Sequence, residues 1–250
     1  MLAVTHQLFL GDAAAVAAAA AGGVLVLDGD EGRHAATVVR VRPGERYLVA
    51  DGAGRSVLCE AEEVDRTRVS GRVVEVTDEP CPQPRLVLVQ ALAKGDRDEQ
   101  AIEAATELGV DEVVPWQAER SVVVWRGERA AKSLAKWTSV VTRATKQSRR
   151  ARLPLTSAVV DLPALVARVQ ASALTVVLHE EATSPLAGLD LPADGEVLVV
   201  VGPEGGISPR ELEALTAAGG RAVRLGTTIL RSSSAGPAAL AVINAATRWR

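Results

Sequence analysis

Five apolar residues, Val197 to Val201, run without a polar interruption into Gly202-Pro203-Glu204-Gly205-Gly206. A short β-branched run of this kind suits a strand covered on both faces, which is how strands of parallel sheets in α/β proteins read. Its neighbours fit the same scheme. Strand-like segments Arg85 to Ala91, Glu112 to Pro115, Leu174 to Leu178 and Arg221 to Leu225 alternate with helix-like ones near Asp98 to Leu108, Glu128 to Ser148, Pro209 to Ala218 and Ala235 to Arg248. The alternation predicts a parallel sheet with helices on both faces. In the first of these helices Ala101, Ile102, Ala105 and Leu108 recur at helical spacing, and Asp96, Asp98 and Glu99 suit its positive end.

Ligands of open α/β sheets sit outside the carboxyl ends of the strands, so Gly202 to Gly206 is placed to touch one. The glycines permit close backbone approach and Pro203 stiffens the turn. The spacing is neither Gly-x-Gly-x-x-Gly nor a Walker loop, and no lysine lies nearby to hold a polyphosphate. A nucleoside-like ligand held by main-chain hydrogen bonds fits this chemistry. The alternative is a tight strand-to-helix turn.

The chain has 250 residues, 48% hydrophobic and 24% charged, enough for one large domain or two smaller ones with real cores. No apolar run reaches the ~18 residues of a membrane helix. The alanine-rich stretch Ala13 to Ala21 follows Asp12 without a basic leader, which reads as a short helix and a cytoplasmic protein. Two cysteines, Cys59 and Cys81, and three scattered histidines form no metal-ligand pattern, so no metal is expected.

Glu79-Pro80-Cys81-Pro82-Gln83-Pro84 is a stiff segment and divides the chain into residues 1–79, a linker 80–84, and residues 85–250. Before it, Arg46 to Ala50, Ser56 to Ala61 and Arg68 to Val76 are strand-like, with Asp51-Gly52-Ala53-Gly54 as a hairpin loop, predicting a small β-rich barrel. The net charge of −3 argues against indiscriminate nucleic-acid binding, but the charge is uneven. Arg126, Arg129, Lys132, Lys136, Arg143, Lys146, Arg149, Arg150 and Arg152 face only one acid, Glu128, and most fall on one side of a helix whose neighbouring side carries Leu134, Trp137, Val141 and Ala144. Phosphate contact explains such a face; a solvated arginine-rich face is the alternative. The amino-terminal segment is acidic overall, and its one dense basic cluster is Arg33, His34, Arg40 and Arg42.

Several elements now converge: His34-x-x-x-Val38-x-Arg40-Val41-Arg42-x-Gly44, Lys94-Gly95-Asp96, Glu107-Leu108-Gly109-Val110, Glu119-Arg120-Ser121, Gln147-Ser148-Arg149-Arg150, Leu178-His179-Glu180, Gly202 to Gly206, and Leu225-Gly226 with Ile229-Leu230-Arg231. In this order and spacing the chain resembles the bacterial ribosomal RNA small subunit methyltransferase E family of the SPOUT superfamily. The resemblance implies a PUA-like barrel before an α/β domain whose carboxyl end forms a trefoil knot. It implies methylation of N3 of one uridine in small-subunit (16S) ribosomal RNA, with S-adenosyl-L-methionine as cofactor and a homodimer whose interface contains the last helix. Cofactor contacts would come from Leu178, His179, Glu180, Gly202, Pro203, Glu204, Gly205, Gly206, Leu225, Gly226, Ile229, Leu230 and Ala235. RNA would meet Arg33, His34, Arg40, Arg42, Lys94, Arg143, Lys146, Arg149, Arg150 and Arg152.

Two positions depart from the family pattern. Arg231-Ser232-Ser233-Ser234-Ala235 has Ser233 where the family often has a glutamate, and Lys146-Gln147 stands where Glu-Gln is common. Arg231 is the expected catalytic residue, stabilising negative charge on the uracil as the N3 proton leaves. His179 and Glu204 are both open as proton acceptor. The missing carboxylate also raises a competing reading, an RNA-binding or ribosome-assembly factor that retains the cofactor fold without turnover.

Overall fold

The computed structural model describes residues 6–250, so the first five residues of the expected amino-terminal domain lie outside it. The chain divides into two units. One comprises Met1–Cys81 with Thr145–Leu153, the other Pro82–Ala144 with Pro154–Arg250.

The first unit is built on a five-stranded sheet with order β1-β3-β4-β5-β2, where the strands are Leu8–Leu10, Val24–Leu27, Arg46–Ala50, Arg55–Asp65 and Arg68–Asp78 in chain order. Only β1 and β3 are parallel. The last two strands are longer than their apolar alternation indicates, because Glu63 to Asp65 go on pairing with Ser70 to Arg68 at one end and Arg55 with Asp78 at the other, across two register shifts. Asp51 Oδ1 accepts from the Ala53 and Arg55 N–H groups and closes the hairpin loop. Helix α1 (Ala13–Ala18) is capped by Asp12, whose carboxylate accepts from Ala15 N. Phe9, Val16, Leu25, Tyr47, Val57, Cys59 and Val73 form the core. Burial pushes the Cys59 thiol up to about 11, which leaves it an inert core residue. Helix α2 (Gly29–Arg33) runs into a π-helical turn, His34–Val39, that ends at Arg40 in the left-handed region.

Thr145–Leu153 completes this unit. Leu153 N donates to Gly52 O, Gly54 N to Ala151 O, and Ala151 packs with Leu8 and Ala50. The Arg152 guanidinium lies over Gly54, where any Cβ would collide with it, and donates to Glu79 O.

The second unit is a six-stranded, fully parallel sheet of order β11-β9-β10-β6-β7-β8. Its strands are β6 (Arg85–Ala91), β7 (Glu112–Trp116), β8 (Leu155–Thr156), β9 (Leu174–Leu178), β10 (Glu196–Val201) and β11 (Arg221–Val223). The helices are α3 (Arg97–Glu107), α4 (Gly127–Gln147, whose last three residues group with the first unit), α5 (Leu162–Ala171), α6 (Pro209–Ala217) and α7 (Ser232–Ala246). Alternate residues of the central strands feed two layers. Val87, Val89, Leu198 and Val200 pack with Leu165, Val169 and Leu215 of α5 and α6, whereas Leu88 and Val201 meet Gly236 of α7. A Cβ on Gly236 would lie 2.7 Å from Leu88 Cδ1, so a glycine lets α7 sit against the sheet. Helix α7 begins three residues before the expected Ala235, because Arg231 adopts an extended conformation and its carbonyl accepts from both Ser234 N and Ala235 N.

At the amino ends of these strands, Glu112 (β7) and Glu196 (β10) are shared by Arg85 (β6) and Arg168 (α5) over 2.5–2.9 Å. Ser157 also donates to Glu112. Burial pushes the Glu112 carboxyl up, but hydrogen bonds from Arg168, Ser157 and Arg85 outweigh it and hold the group down to about 2.

Candidate functional site

The carboxyl ends of β9, β10 and β11, three neighbours in the sheet, open onto two adjoining cavities. The smaller, about 110 Å³, is walled by Leu178-His179-Glu180, the segment from Val223 to Leu230, and Ala235. The larger, about 410 Å³, is walled by Leu178, Glu180, Val201 to Glu204, Gly206 and Ile207, and by Ile229 to Ser232 with Ala235; Arg97 joins from α3. Leu178, Glu180, Ile229, Leu230 and Ala235 line both. Every residue expected to contact the cofactor is therefore on a cavity wall except Gly205. Arg97, Arg224 and Ser232 are additions that their local sequence did not mark.

The three loops are held by different means. His179 N donates to Val223 O, Leu186 N to Arg224 O and Arg224 N to Ser184 O, which stitches the segment after β9 to the one after β11. The glycine loop is shaped mainly by its own packing. A Cβ on Gly202 would meet Ile207 Cγ1 at 2.7 Å, and Gly206 has φ +73°, in the left-handed region. Gly206 N donates to Pro203 O, and Gly205 O accepts from the Arg120 guanidinium at 2.9 Å. Those two main-chain groups are thus spent inside the protein. Below the loop, Ser208 caps α6 through a reciprocal pair with Glu211 and donates to Glu119 Oε2, while Glu119 N donates to Glu211 Oε1. The Glu119-Arg120 dipeptide is thereby a brace for the loop.

Glu204 reaches back to the start of α3. Its Oε1 accepts from Arg97 Nη1 at 2.9 Å and Lys94 N at 3.1 Å. Partial burial raises its pKa, but its own N–H, Lys94 N–H and the Arg97 guanidinium together hold it below the usual carboxylate range. His179 Nδ1 accepts from Glu181 N at 3.3 Å. Arg231, exposed on the wall of the larger cavity, has no ion pair or side-chain hydrogen bond among the described residues. Ser233 is half-buried in the first turn of α7.

Eight of the ten basic residues expected to meet RNA fall in the first unit: Arg33, His34, Arg40, Arg42, Lys146, Arg149, Arg150 and Arg152. Lys94 and Arg143 lie exposed in the second. The two segments of the first unit join at Glu31, which pairs with Lys146 Nζ at 2.6 Å; His34 Nδ1 is 3.5 Å from the same Nζ. Lys146 is only 14% exposed, so it serves this junction. Arg40 and Arg149 are exposed and both have left-handed backbone, φ 61° and 58°, a strain that non-glycine residues carry at functional surfaces. The self-repelling basic face of α4 gains counter-charge from elsewhere: Lys136 pairs with Asp96 and Glu99 of the loop and first turn of α3.

Among the described residues no cluster of His, Cys, Asp and Glu could hold a metal, and no helix is long and apolar enough to cross a membrane. A profile for an RNA methyltransferase domain matches residues 79–244, and one for an RNA methyltransferase PUA domain matches residues 27–74. The chain is 48% identical over 233 residues to ribosomal RNA small subunit methyltransferase E of Mycobacterium bovis, covering 91% of this chain and 89% of the relative. It is 33% identical to the Bacillus subtilis protein of the same name, covering 87% and 88%. The crystal structure of a ribosomal RNA small subunit methyltransferase E from Neisseria gonorrhoeae bound to S-adenosyl methionine superposes with a TM-score of 0.84 at 26% identity, over 97% of this chain and 98% of that one. On this agreement of sequence and fold, the chain belongs to the ribosomal RNA small subunit methyltransferase E family.

Proposed function

We propose that this protein transfers a methyl group from S-adenosyl-L-methionine to N3 of one uridine in 16S ribosomal RNA. The observation that carries the reading is the pair of cavities at the carboxyl ends of β9, β10 and β11, with Arg231, unpaired among the described residues, on the wall of the larger. Their chemistry fits the cofactor. Leu178, Ile229, Leu230 and Ala235 offer apolar walls for an adenine. Glu180, on both walls and without an ion pair among the described residues, offers acceptors for hydroxyl groups or a counter-charge for a sulfonium. The larger volume lies within the ~300–1,000 Å³ usual for ligand sites. When bound, the cofactor supplies an electrophilic methyl on sulfur.

The chain's own part is to align the base and favour its anion. The Arg231 guanidinium stabilises the charge that spreads over O2, N3 and O4 when N3 loses its proton. Glu204 does not suit the role of base, since its carboxylate is engaged by Arg97 and Lys94 and held below the usual range. His179 accepts at Nδ1 from Glu181, so the neutral ring carries its proton on Nε2 and has no free lone pair there. Of the two candidate acceptors, neither is poised for N3. Loss of the proton to solvent from an arginine-stabilised uracil suits this site better.

On the same reading, the first unit is a PUA-like barrel presenting Arg33, Arg40, Arg42, Arg149 and Arg150 to RNA, whereas Arg152, expected there from the sequence, is taken up by Gly54 and Glu79. The loops around β9 and β11 form a trefoil knot, and two copies associate through α7 in the cytoplasm. The test is transfer of labelled methyl to small ribosomal subunits lacking the modification, followed by nucleoside analysis. N3-methyluridine is the expected product. Cofactor binding without any methylated nucleoside would favour a non-catalytic RNA-binding or assembly factor, the reading raised by Ser233. A different methylated nucleoside would keep the enzyme and overturn the target atom.

A further inference from the structure

Arg97 is one of two cavity-lining arginines, with Arg224, that the local sequence does not announce. It is the first residue of α3, preceded by Gly95 and Asp96, which both have left-handed backbone (φ 64° and 59°). For a residue with a side chain that conformation is strained. It is held from two sides: Lys136 Nζ binds Asp96 Oδ1 at 3.3 Å and Glu99 Oε1 at 2.5 Å, and Glu204 takes Lys94 N. The helix start is thus fixed so that Arg97 stands on the cavity wall with one N–H on Glu204. A guanidinium has five N–H donors in a rigid fork, and among the described residues only this one has a partner. The side chain is 44% exposed, so the remaining donors are accessible. Arg97 and Arg231 line the larger cavity, while the smaller has a separate arginine, Arg224.

We infer that Arg97 contacts the target nucleotide: anchored to Glu204 by one N–H, it offers the others to an anionic or carbonyl oxygen of the RNA, in the same cavity as Arg231. This rests on the proposed function, with the cofactor against the walls that the two cavities share and the target base on the side of the larger one lined by Arg97 and Arg231. The ligand chemistry is an oxygen acceptor with negative charge or partial charge, and it has two sources in a uridine nucleotide, the phosphate and the uracil O2 and O4. Planar recognition of either by a guanidinium fork is not reproduced by an ammonium. Glu204 acts through Arg97 and is a positioning residue.

The experiment compares wild type with Arg97→Ala, Arg97→Lys and Glu204→Gln. It reads calorimetric affinity for S-adenosyl-L-methionine, affinity for unmodified small subunits in the presence of S-adenosylhomocysteine across a salt series, and single-turnover methyl transfer. Loss of one charged hydrogen bond predicts that Arg97→Ala lowers kcat/KM for RNA about 10- to 100-fold while cofactor affinity stays within about twofold. Arg97→Lys recovers little of this, and Glu204→Gln shows a smaller loss of the same kind. A salt dependence shallower by about one unit identifies the phosphate as the acceptor. An unchanged salt dependence with slower single turnover identifies the uracil oxygens. The inference is overturned if substrate affinity and rate both stay within about twofold of wild type, or if the loss appears as weaker cofactor binding. Should wild type transfer no methyl, the functional reading fails on its own, and the substrate-affinity arm still decides Arg97.

Discussion

Arg231 sits at the N-cap of α7 with its backbone carbonyl taken by Ser234 and Ala235 and its guanidinium without a partner among the described residues. The side chain can therefore be removed without taking a partner from any described residue. We expect Arg231→Ala to lower single-turnover methyl transfer about 10²- to 10³-fold, the usual cost of one charge-stabilising donor, with cofactor affinity by calorimetry nearly unchanged. Equal rates would remove Arg231 from the chemistry. Gly202 is constrained differently. Its new methyl in Gly202→Ala would press on Ile207 at 2.7 Å, so the loop must shift, and we expect a stability loss of about 1–3 kcal/mol in denaturant melts together with weaker cofactor binding. The place of Arg231 on the cavity wall was legible in the sequence because it stands in a recognisable string. Arg97 was not, because its partner Glu204 lies 107 residues away and only the fold brings them together.

Among the elements, α6 links packing to the site most directly. Its capping box, Ser208 with Glu211, is also bonded to Glu119, and the next residue, Arg120, holds Gly205. Ser208→Ala should cost about 1 kcal/mol of stability, read from the denaturant midpoint, and should weaken cofactor binding further than the same loss of stability does elsewhere. Equal cofactor affinity would show that the brace and the loop are uncoupled. The strands were legible from their continuous β-branched runs, since burial on both faces leaves no room for alternation. The start of α7 was not, because three serines in a row read as capping or loop residues, and what settles them is the carbonyl of Arg231. The basic face of α4 showed an absence of local acids. Its relief came from Asp96 and Glu99, which sequence spacing along the helix cannot supply.

Across the whole second unit, the cavities occupy the carboxyl ends of the strands and the Arg85–Glu112–Arg168–Glu196 network the amino ends. Glu112 is 4% exposed, and its carboxyl is lowered from 4.5 to about 2. A depressed carboxyl contributes stability that is fully present above its unfolded pKa and lost as pH falls through the folded one. Here the window runs from about pH 4.5 down to about 2, with about 3 kcal/mol at stake. Glu112→Gln should be less stable at pH 7 by about 3 kcal/mol, because it removes the depressed carboxylate and leaves the partly buried Arg85 and Arg168 guanidinium groups to share Glu196 alone, and its acid unfolding limb should be flatter than that of wild type. Activity per folded molecule should not change, and an activity loss beyond the unfolded fraction would show that the two ends of the sheet communicate.

The first unit takes its last pieces, Lys146 against Glu31 and Arg152 against Glu79, from a segment that begins more than sixty residues after the rest. A nascent chain that has emerged only as far as Cys81 therefore lacks part of its own architecture. At the usual ~5–20 residues per second, the roughly seventy further residues needed take about 4–14 s to synthesise. During translation the amino-terminal segment must wait, with Glu31 uncompensated and the Leu8–Ala50 surface uncovered, for a segment of its own future sequence.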